Sequence, residues 1–294
     1  MSDHPFTTVR DLLRYAVSRF TEAKLAFGHG CASAYDEAAY LVLHTLHLPL
    51  DTLDPFLDAT LLPAEIERVL SVINRRAGER VPAAYITNEA WMHGYRFYVD
   101  ERVIVPRSFL GELLEEQFTP WIAQPDQISH VLELCTGSGC LAILAAEAFA
   151  QAHIDAVDLS GDALAVAAIN VRDYELQDRI ALHQGDLYAP LPSRRYDLIL
   201  SNPPYVNDHA MQSLPAEYRH EPRMALAGGD DGMAVVRRII ADARQWLTPD
   251  GLLVIEVGHE RAHVEAAFPD LEMTWLSTSA GDDMVFLVHA AALP

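Results

Sequence analysis

Hydrophobic positions along the chain change period near residue 90, and that change divides the sequence. Before it they recur at helical spacing. Leu12, Leu13, Ala16, Val17 and Phe20 share one face of a helix that Thr7 or Thr8 can cap. Ser33, followed three residues later by Asp36, opens a second helix through Leu41, Val42 and Leu46. Pro63 suits the first turn of a third, with Ile66, Val69, Leu70 and Ile73 along its inner stripe. All three stripes read as core, and no chemistry is assigned to them.

From Trp91 the period drops to two. Tyr95, Phe97 and Val99 alternate, then Val103 and Val105, with Asp100-Glu101-Arg102 as a polar break. This predicts a strand pair turning at 100–102 and closed by Pro106. After His130, short apolar runs alternate with helical stretches, at 130–134, 154–159, 180–184, 196–201 and 252–257, then at 272–277 and 284–289. That rhythm predicts an α/β fold with a mostly parallel sheet covered by helices on both faces. The expected organisation is a helical domain over 1–90, a β-hairpin linker over 91–112 and a catalytic domain over 113–294. Ligands of such sheets sit beyond the carboxyl ends of the strands, so function is sought in the loops there.

Composition narrows the classes. The 294 residues are 50% hydrophobic and 21% charged, a globular balance. No apolar run approaches the roughly 18 residues of a membrane span. The opening Met-Ser-Asp-His has no signal-peptide character, so a cytoplasmic protein is expected. Cys31, Cys135 and Cys140 form no metal-ligand spacing and read as reduced thiols. The formal charge is −21, shared unevenly: residues 1–100 hold 9 Lys/Arg against 13 Asp/Glu, leaving 12 against 29 for the rest. So acidic a half repels a phosphate backbone, and direct nucleic-acid binding is not expected. It would attract a basic partner. Acidic surfaces also simply keep proteins soluble, so charge alone leaves both readings open.

The first loop of the α/β region is Glu133-Leu134-Cys135-Thr136-Gly137-Ser138-Gly139-Cys140, running into a helix over 141–149. Its glycines let the backbone pass close to a ligand and turn sharply. Asp158 ends the second run, where a carboxylate can accept both hydroxyls of a ribose. After the third run, Gly185-Asp186-Leu187 sets another acid where an adenine amine could donate. Gly137-x-Gly139-x-x-Ala142 with Asp158 also fits a dinucleotide fingerprint. Glu133 favours S-adenosylmethionine instead, because a carboxylate suits an ammonium and opposes a pyrophosphate. Asp186 favours it too.

Ser201-Asn202-Pro203-Pro204-Tyr205 follows the fourth run and is the sharpest signal in the chain. Consecutive prolines stiffen the backbone and lack N–H groups, leaving nearby carbonyls free. The Asn202 side-chain oxygen and the Pro203 carbonyl can each accept one N–H of an incoming NH₂, while Tyr205 offers a flat stacking face. That arrangement suits methylation of a planar, amide-like nitrogen. His259-Glu260-Arg261-Ala262-His263 spells a zinc motif, but no third ligand is evident, and solvated charge at a helix start is the preferred reading; no metal is assigned.

Together these motifs resemble the glutamine methyltransferases, class I enzymes that modify the side-chain amide of glutamine in release factors or in a ribosomal protein. The likeness runs from about Arg75 to the C-terminus. It includes Ala84-Tyr85-Ile86, Val105-Pro106-Arg107, Glu221-Pro222 and Gly228-Gly229-Asp230-Asp231-Gly232. Three stretches look like the branch acting on large-subunit ribosomal protein L-three: Thr87-Asn88-Glu89-Ala90-Trp91, Pro106-Arg107-Ser108 and the loop 134–140. The release-factor branch usually has a glycine where Cys135 stands, so the first turn of the loop is expected to be shaped differently.

The resemblance implies a Rossmann-like sheet of seven strands, S-adenosylmethionine as cofactor and a helical substrate-recognition domain in front. It implies substrate-amide contacts at Asn202 and Pro203, with Tyr205 beside them. Donor contacts are implied at Glu133, Cys135, Thr136, Gly137, Gly139, Asp158, Leu159, Asp186, Leu187 and Asn202. The implied partner is the basic ribosomal protein L-three. A release factor, a nucleic-acid amine as acceptor and an NAD-linked oxidoreductase are the competing expectations.

Overall fold

The computed structural model describes residues 5–294. Four helices come first: α1 (Val9–Glu22), α2 (Ala34–Thr45), α3 (Pro63–Asn74) and the short α4 (Ala83–Thr87). Thr8 and Asp11 form a reciprocal capping box on α1, and the Ser33 side chain caps α2 through the Asp36 N–H. Their apolar stripes meet in one core built from Leu12, Phe20, Leu41, Ile66, Val69 and Ile73. Beneath it lies Arg76, fully buried, whose Nε donates to Glu37 at 2.5 Å.

A hairpin follows, β1 (Glu89–Met92) and β2 (Tyr95–Tyr98), antiparallel with Met92 opposite Tyr95. Here the predicted turn is corrected. The reversal falls at His93-Gly94, not at 100–102, and both turn residues have positive φ, 52° and 79°. Two-residue hairpins need that handedness, and histidine hides the usual Asn-Gly spelling. Residues 100–102 instead fold onto themselves, Arg102 Nε reaching Asp100 Oδ1 at 2.8 Å. Val105 gives its N–H to Glu221 at 3.0 Å, so it has no strand partner there.

The rest is α5 (Leu110–Glu115), β3 (His130–Leu134), α6 (Cys140–Ala148), β4 (His153–Asp158), α7 (Gly161–Asp173), β5 (Ile180–Gln184), β6 (Tyr196–Ser201), α8 (Asp208–Ser213), α9 (Ala234–Trp246), β7 (Leu247–Glu256), α10 (Arg261–Ala267), β8 (Thr274–Thr278) and β9 (Gly281–His289). Seven strands join in the order β5-β4-β3-β6-β7-β9-β8, parallel except where β9 runs against both neighbours. Alternate residues of each strand enter different cores, as a pleated sheet requires. Leu198, Leu200, Leu252 and Val254 pack with α5, α6 and α7, while Ile199, Leu253 and Ile255 pack with α9 and α10. No helix among the described residues is long and apolar enough to cross a membrane.

Candidate active site

The sheet winds outward from β3 in two directions, to β4 and β5 on one side and to β6 and β7 on the other. Leu134 at the end of β3 lies opposite Ser201 at the end of β6. Two loops therefore leave the sheet side by side at the switch point, the glycine turn and the proline corner. The Ser201 hydroxyl ties them together, donating to the Leu134 carbonyl at 2.9 Å.

On the glycine side lies a cavity of about 280 Å³, lined by Cys135, Gly137, Asp158, Leu159, Asp186, Leu187 and Asn202 among others. The Asp158 carboxylate is fixed by two backbone donors, Gly137 N and Ser160 N, each at 2.8 Å. Its remaining lone pairs face the cavity, and burial raises its pKa. Leu159 is 58% exposed, a large apolar side chain with no protein cover on this wall. Asp186 sits at the rim with Arg238 as its partner at 2.6 Å. From the linker, Arg102, Val103 and Ile104 close the same cavity, residues that carry no motif. Asn170 on α7 braces both parts, donating to the Ser138 carbonyl at 2.8 Å and accepting from Tyr98 N at 2.7 Å.

Glu133, Thr136 and Gly139 do not line this cavity; they stand behind its wall. Glu133 is buried at the end of β3, hydrogen-bonded by the Thr136 hydroxyl and the Ala142 N–H. Burial pushes its carboxyl up to about 8. Cys135 takes a φ of +63°, the left-handed conformation that glycine adopts freely. The loop thus keeps a glycine-like turn with a thiol in it, and burial pushes that thiol up to about 12.

On the proline side a second cavity of about 500 Å³ is lined by Asn202, Pro203, Tyr205, Arg107, Phe109, Tyr218 and Glu256. Asn202, Ile104 and Ala225 line both cavities, so Asn202 stands at their junction. Tyr205 is held by glycines. A methyl group on Gly258 would come within 2.8 Å of its ring, and one on Gly232 would strike its carbonyl oxygen. Arg107 crosses the floor and grips Glu221 with two bonds, at 2.5 and 2.8 Å. Burial works to raise the Glu221 carboxyl, but His29 and Arg107 beside it hold it down at about 2.

Glu256 carries no distinguishing signal in the sequence because it sits inside an apolar run. It is 2% exposed, and burial pushes its carboxyl up to about 7. His259 lies before α10, so it does not share a helical face with His263, whose Nδ1 bonds Glu260 at 2.5 Å. Among the described residues no three His, Cys, Asp or Glu side chains are grouped to hold a metal ion.

The sheet order, with a glycine turn after its first strand and Asn-Pro-Pro-Tyr after its fourth, defines a class I methyltransferase. A family model described as the methyltransferase small domain matches residues 113–218. The chain is 68% identical to the ribosomal protein uL3 glutamine methyltransferase of Burkholderia pseudomallei, over 100% of this chain and 98% of that one. It is 61% identical to that of Bordetella pertussis over 96% and 94% of the two chains, and 57% identical to that of Neisseria meningitidis serogroup B over 96% and 93%. The chain belongs to the ribosomal protein uL3 glutamine methyltransferase family.

Proposed function

We propose that this protein transfers the methyl group of S-adenosylmethionine to the side-chain amide nitrogen of a glutamine in ribosomal protein uL3. The observation that carries the reading is the position of Asn202, on the wall shared by the two cavities. The glycine-side cavity suits the donor: a fixed carboxylate at Asp158, an uncovered Leu159, and a buried Glu133 behind the turn. When bound, S-adenosylmethionine supplies an electrophilic methyl group on a sulfonium. Asp158 would hold the ribose hydroxyls and Asp186 the adenine amine; Glu133, outside the cavity lining, would meet the ammonium only with the glycine turn opened toward it.

An amide nitrogen is a poor nucleophile because its lone pair is shared with the carbonyl. Asn202 Oδ1 and the Pro203 carbonyl would each accept one amide N–H, holding the nitrogen toward the donor cavity. Tyr205 would stack on the amide plane. Positioning of this kind supplies much of the rate of an in-line transfer. The surplus proton of the methylated nitrogen is acidic and leaves to water, so the site needs no histidine base.

We assign substrate recognition to the helical part over residues 1–90, with the hairpin region as connection. Support comes from a buried clasp between that part and the acceptor side: Arg80 Nη1 and Ala26 N both donate to Glu217, at 3.0 and 3.1 Å. The basic character of a ribosomal protein suits the −21 charge of the chain.

Incubating the enzyme with methyl donor and either uL3 or the release factors, followed by mass spectrometry, tests the reading. The expected result is one added methyl on a glutamine of uL3; modification of release factors alone would overturn it. Asn202→Ala is expected to lower kcat by about 10²-fold or more, with donor Kd nearly unchanged. Wild-type turnover by that variant would remove Asn202 from its role. Titration with NADH and with S-adenosylmethionine separates the oxidoreductase alternative.

A further inference from the structure

The side-chain amide of Asn202 has nearly the same shape either way round, but only one orientation can accept a substrate N–H. Reversed, it would present its own NH₂ to the NH₂ of the incoming carboxamide, donor against donor. Something in the protein must therefore choose the orientation, and the sheet register supplies a candidate. β6 and β7 are parallel, with Ser201 opposite Ile255, so the next residues on each strand, Asn202 and Glu256, emerge as neighbours. Asn202 Nδ2 lies 3.2 Å from Glu256 Oε1.

The carboxylate is itself fixed. Its other oxygen, Oε2, accepts from the Ser108 hydroxyl at 2.5 Å, from Phe109 N at 2.8 Å and from Leu110 N at 3.4 Å. Three donors converge on one oxygen, two of them backbone N–H groups that cannot accept in return. Oε1 is left as the oxygen that meets Asn202, and above about pH 7, where the carboxyl is ionised, it only accepts. It takes Nδ2 and turns Oδ1 the opposite way, toward the junction of the two cavities.

We propose that Glu256 is a positioning residue for the methyl transfer, fixing the Asn202 side-chain amide with its oxygen toward the substrate. The assignment rests on the reading of Asn202 as an amide acceptor and adds the group that makes it one. Glu256 does not touch the reacting nitrogen. It acts through Asn202, while Ser108 and the start of α5 anchor it from the linker.

Substitutions at both positions test the relationship. In Glu256→Gln, the three donors from residues 108–110 draw the new amide oxygen to the Oε2 position, which turns its NH₂ toward Asn202. Asn202 must then accept with Oδ1 and present Nδ2 to the substrate. At pH 8 and above, where Glu256 is ionised, the expected result is a fall in kcat of about 10²-fold, similar to Asn202→Ala, with donor Kd unchanged. The double variant Asn202→Asp with Glu256→Gln restores the pairing: the new NH₂ donates to one Asp oxygen and leaves the other facing the substrate. Its kcat is expected to recover to within about tenfold of wild type.

A merely structural role for Glu256 would show no such rescue. Wild-type kcat in Glu256→Gln, or a double variant no faster than Glu256→Gln, overturns the proposal. Should Glu256→Gln fail to fold, the double variant is compared with Asn202→Asp alone, which sets two carboxyl groups against each other. A faster double variant supports the assignment, and an equal or slower one overturns it. If Asn202→Ala turns over like wild type, the acceptor reading fails; if that variant is slow while Glu256→Gln is fast, only the role of Glu256 fails.

Discussion

Gly232 lies directly behind Tyr205, its Cα hydrogens pointing at the Tyr205 carbonyl oxygen with no room for a methyl group. Val206 N donates to the Leu226 carbonyl at 2.9 Å, and Gly228 N returns a bond to Val206 O at 2.8 Å. The turn at residues 228–232 is therefore a buttress for the proline corner. That gives the Gly-Gly-Asp-Asp-Gly stretch a physical purpose.

Replacing Gly232 with Ala would push the corner aside and strain a φ of +80°. A shift near 1 Å at a positioned reactant can lower turnover by about 10²-fold. The expected outcome is a kcat loss of that order, with donor Kd changed little because Asp158 and Leu159 are untouched. Steady-state kinetics with calorimetric donor titration would check it; unchanged kcat would show that the corner tolerates displacement.

Cys135 at φ +63° predicts an unusual tolerance. A left-handed conformation costs a non-glycine residue about 1–2 kcal/mol, an amount that Cys135→Gly would recover. Added backbone freedom in the unfolded chain offsets roughly 0.5–1 kcal/mol of that. Melting of Cys135→Gly is therefore expected near wild type, while the β-branched Cys135→Val is expected to melt distinctly lower. Equal melting of all three proteins would contradict the strained turn.

The clasp around Glu217 predicts a large stability effect at the edge of the acceptor side. Arg76 and Glu217 are both fully buried, and Arg80 reaches the same carboxylate. Removing the acid in Glu217→Ala leaves Arg76 with Glu37 as its one carboxylate partner and takes the carboxylate from Arg80, with an expected loss of up to about 3–5 kcal/mol. Urea denaturation would measure it, and proteolysis between the helical part and the sheet is expected to accelerate. A loss under about 1 kcal/mol would mean that Glu37 alone satisfies Arg76.

Glu133 and Glu256 contribute to the pH dependence of the ligand-free protein's stability. Burial raises both folded pKa values, to about 8 and about 7, above the usual 4.5. The folded state therefore holds more protons than the unfolded state between those values. The contribution of these two groups to stability is then complete below about pH 4.5 and is lost as pH rises to about 8. The opposite dependence of Glu221, held at about 2, lies below that window. Glu133→Gln is expected to flatten the decline in melting temperature across pH 5 to 8. An ammonium brought to Glu133 would expel its proton, so donor titrations near pH 7 in buffers of different ionisation heat are expected to reveal proton release. An equally steep decline in Glu133→Gln would place the dependence elsewhere.

The strands and the two motif loops were legible because their signals are local. Residues 130–134, 180–184 and 196–201 are predicted and observed at the same positions, since bounded apolar runs leave little freedom. Glu256 was not legible. Nothing in Leu-Leu-Val-Ile-Glu-Val distinguishes a buried acid with a task from the tail of a strand; its neighbour Asn202 comes from the register between β6 and β7. Asn170 and Arg76 were hidden for the same reason, each meeting partners more than thirty residues away. The hairpin turn failed on chemistry instead, because His93 adopts a conformation usually marked by Asn or Asp.

Because Arg80 and Arg76 close on a carboxylate that follows α8, the surface that would greet a protein substrate is stitched from two distant stretches of chain. A graft that exchanged the leading 90 residues between relatives would import two guanidinium groups together with Glu37 and separate them from Glu217. Any transplant of specificity therefore has to carry the loop through Glu217 along with the helices, as one spatial patch split in the sequence.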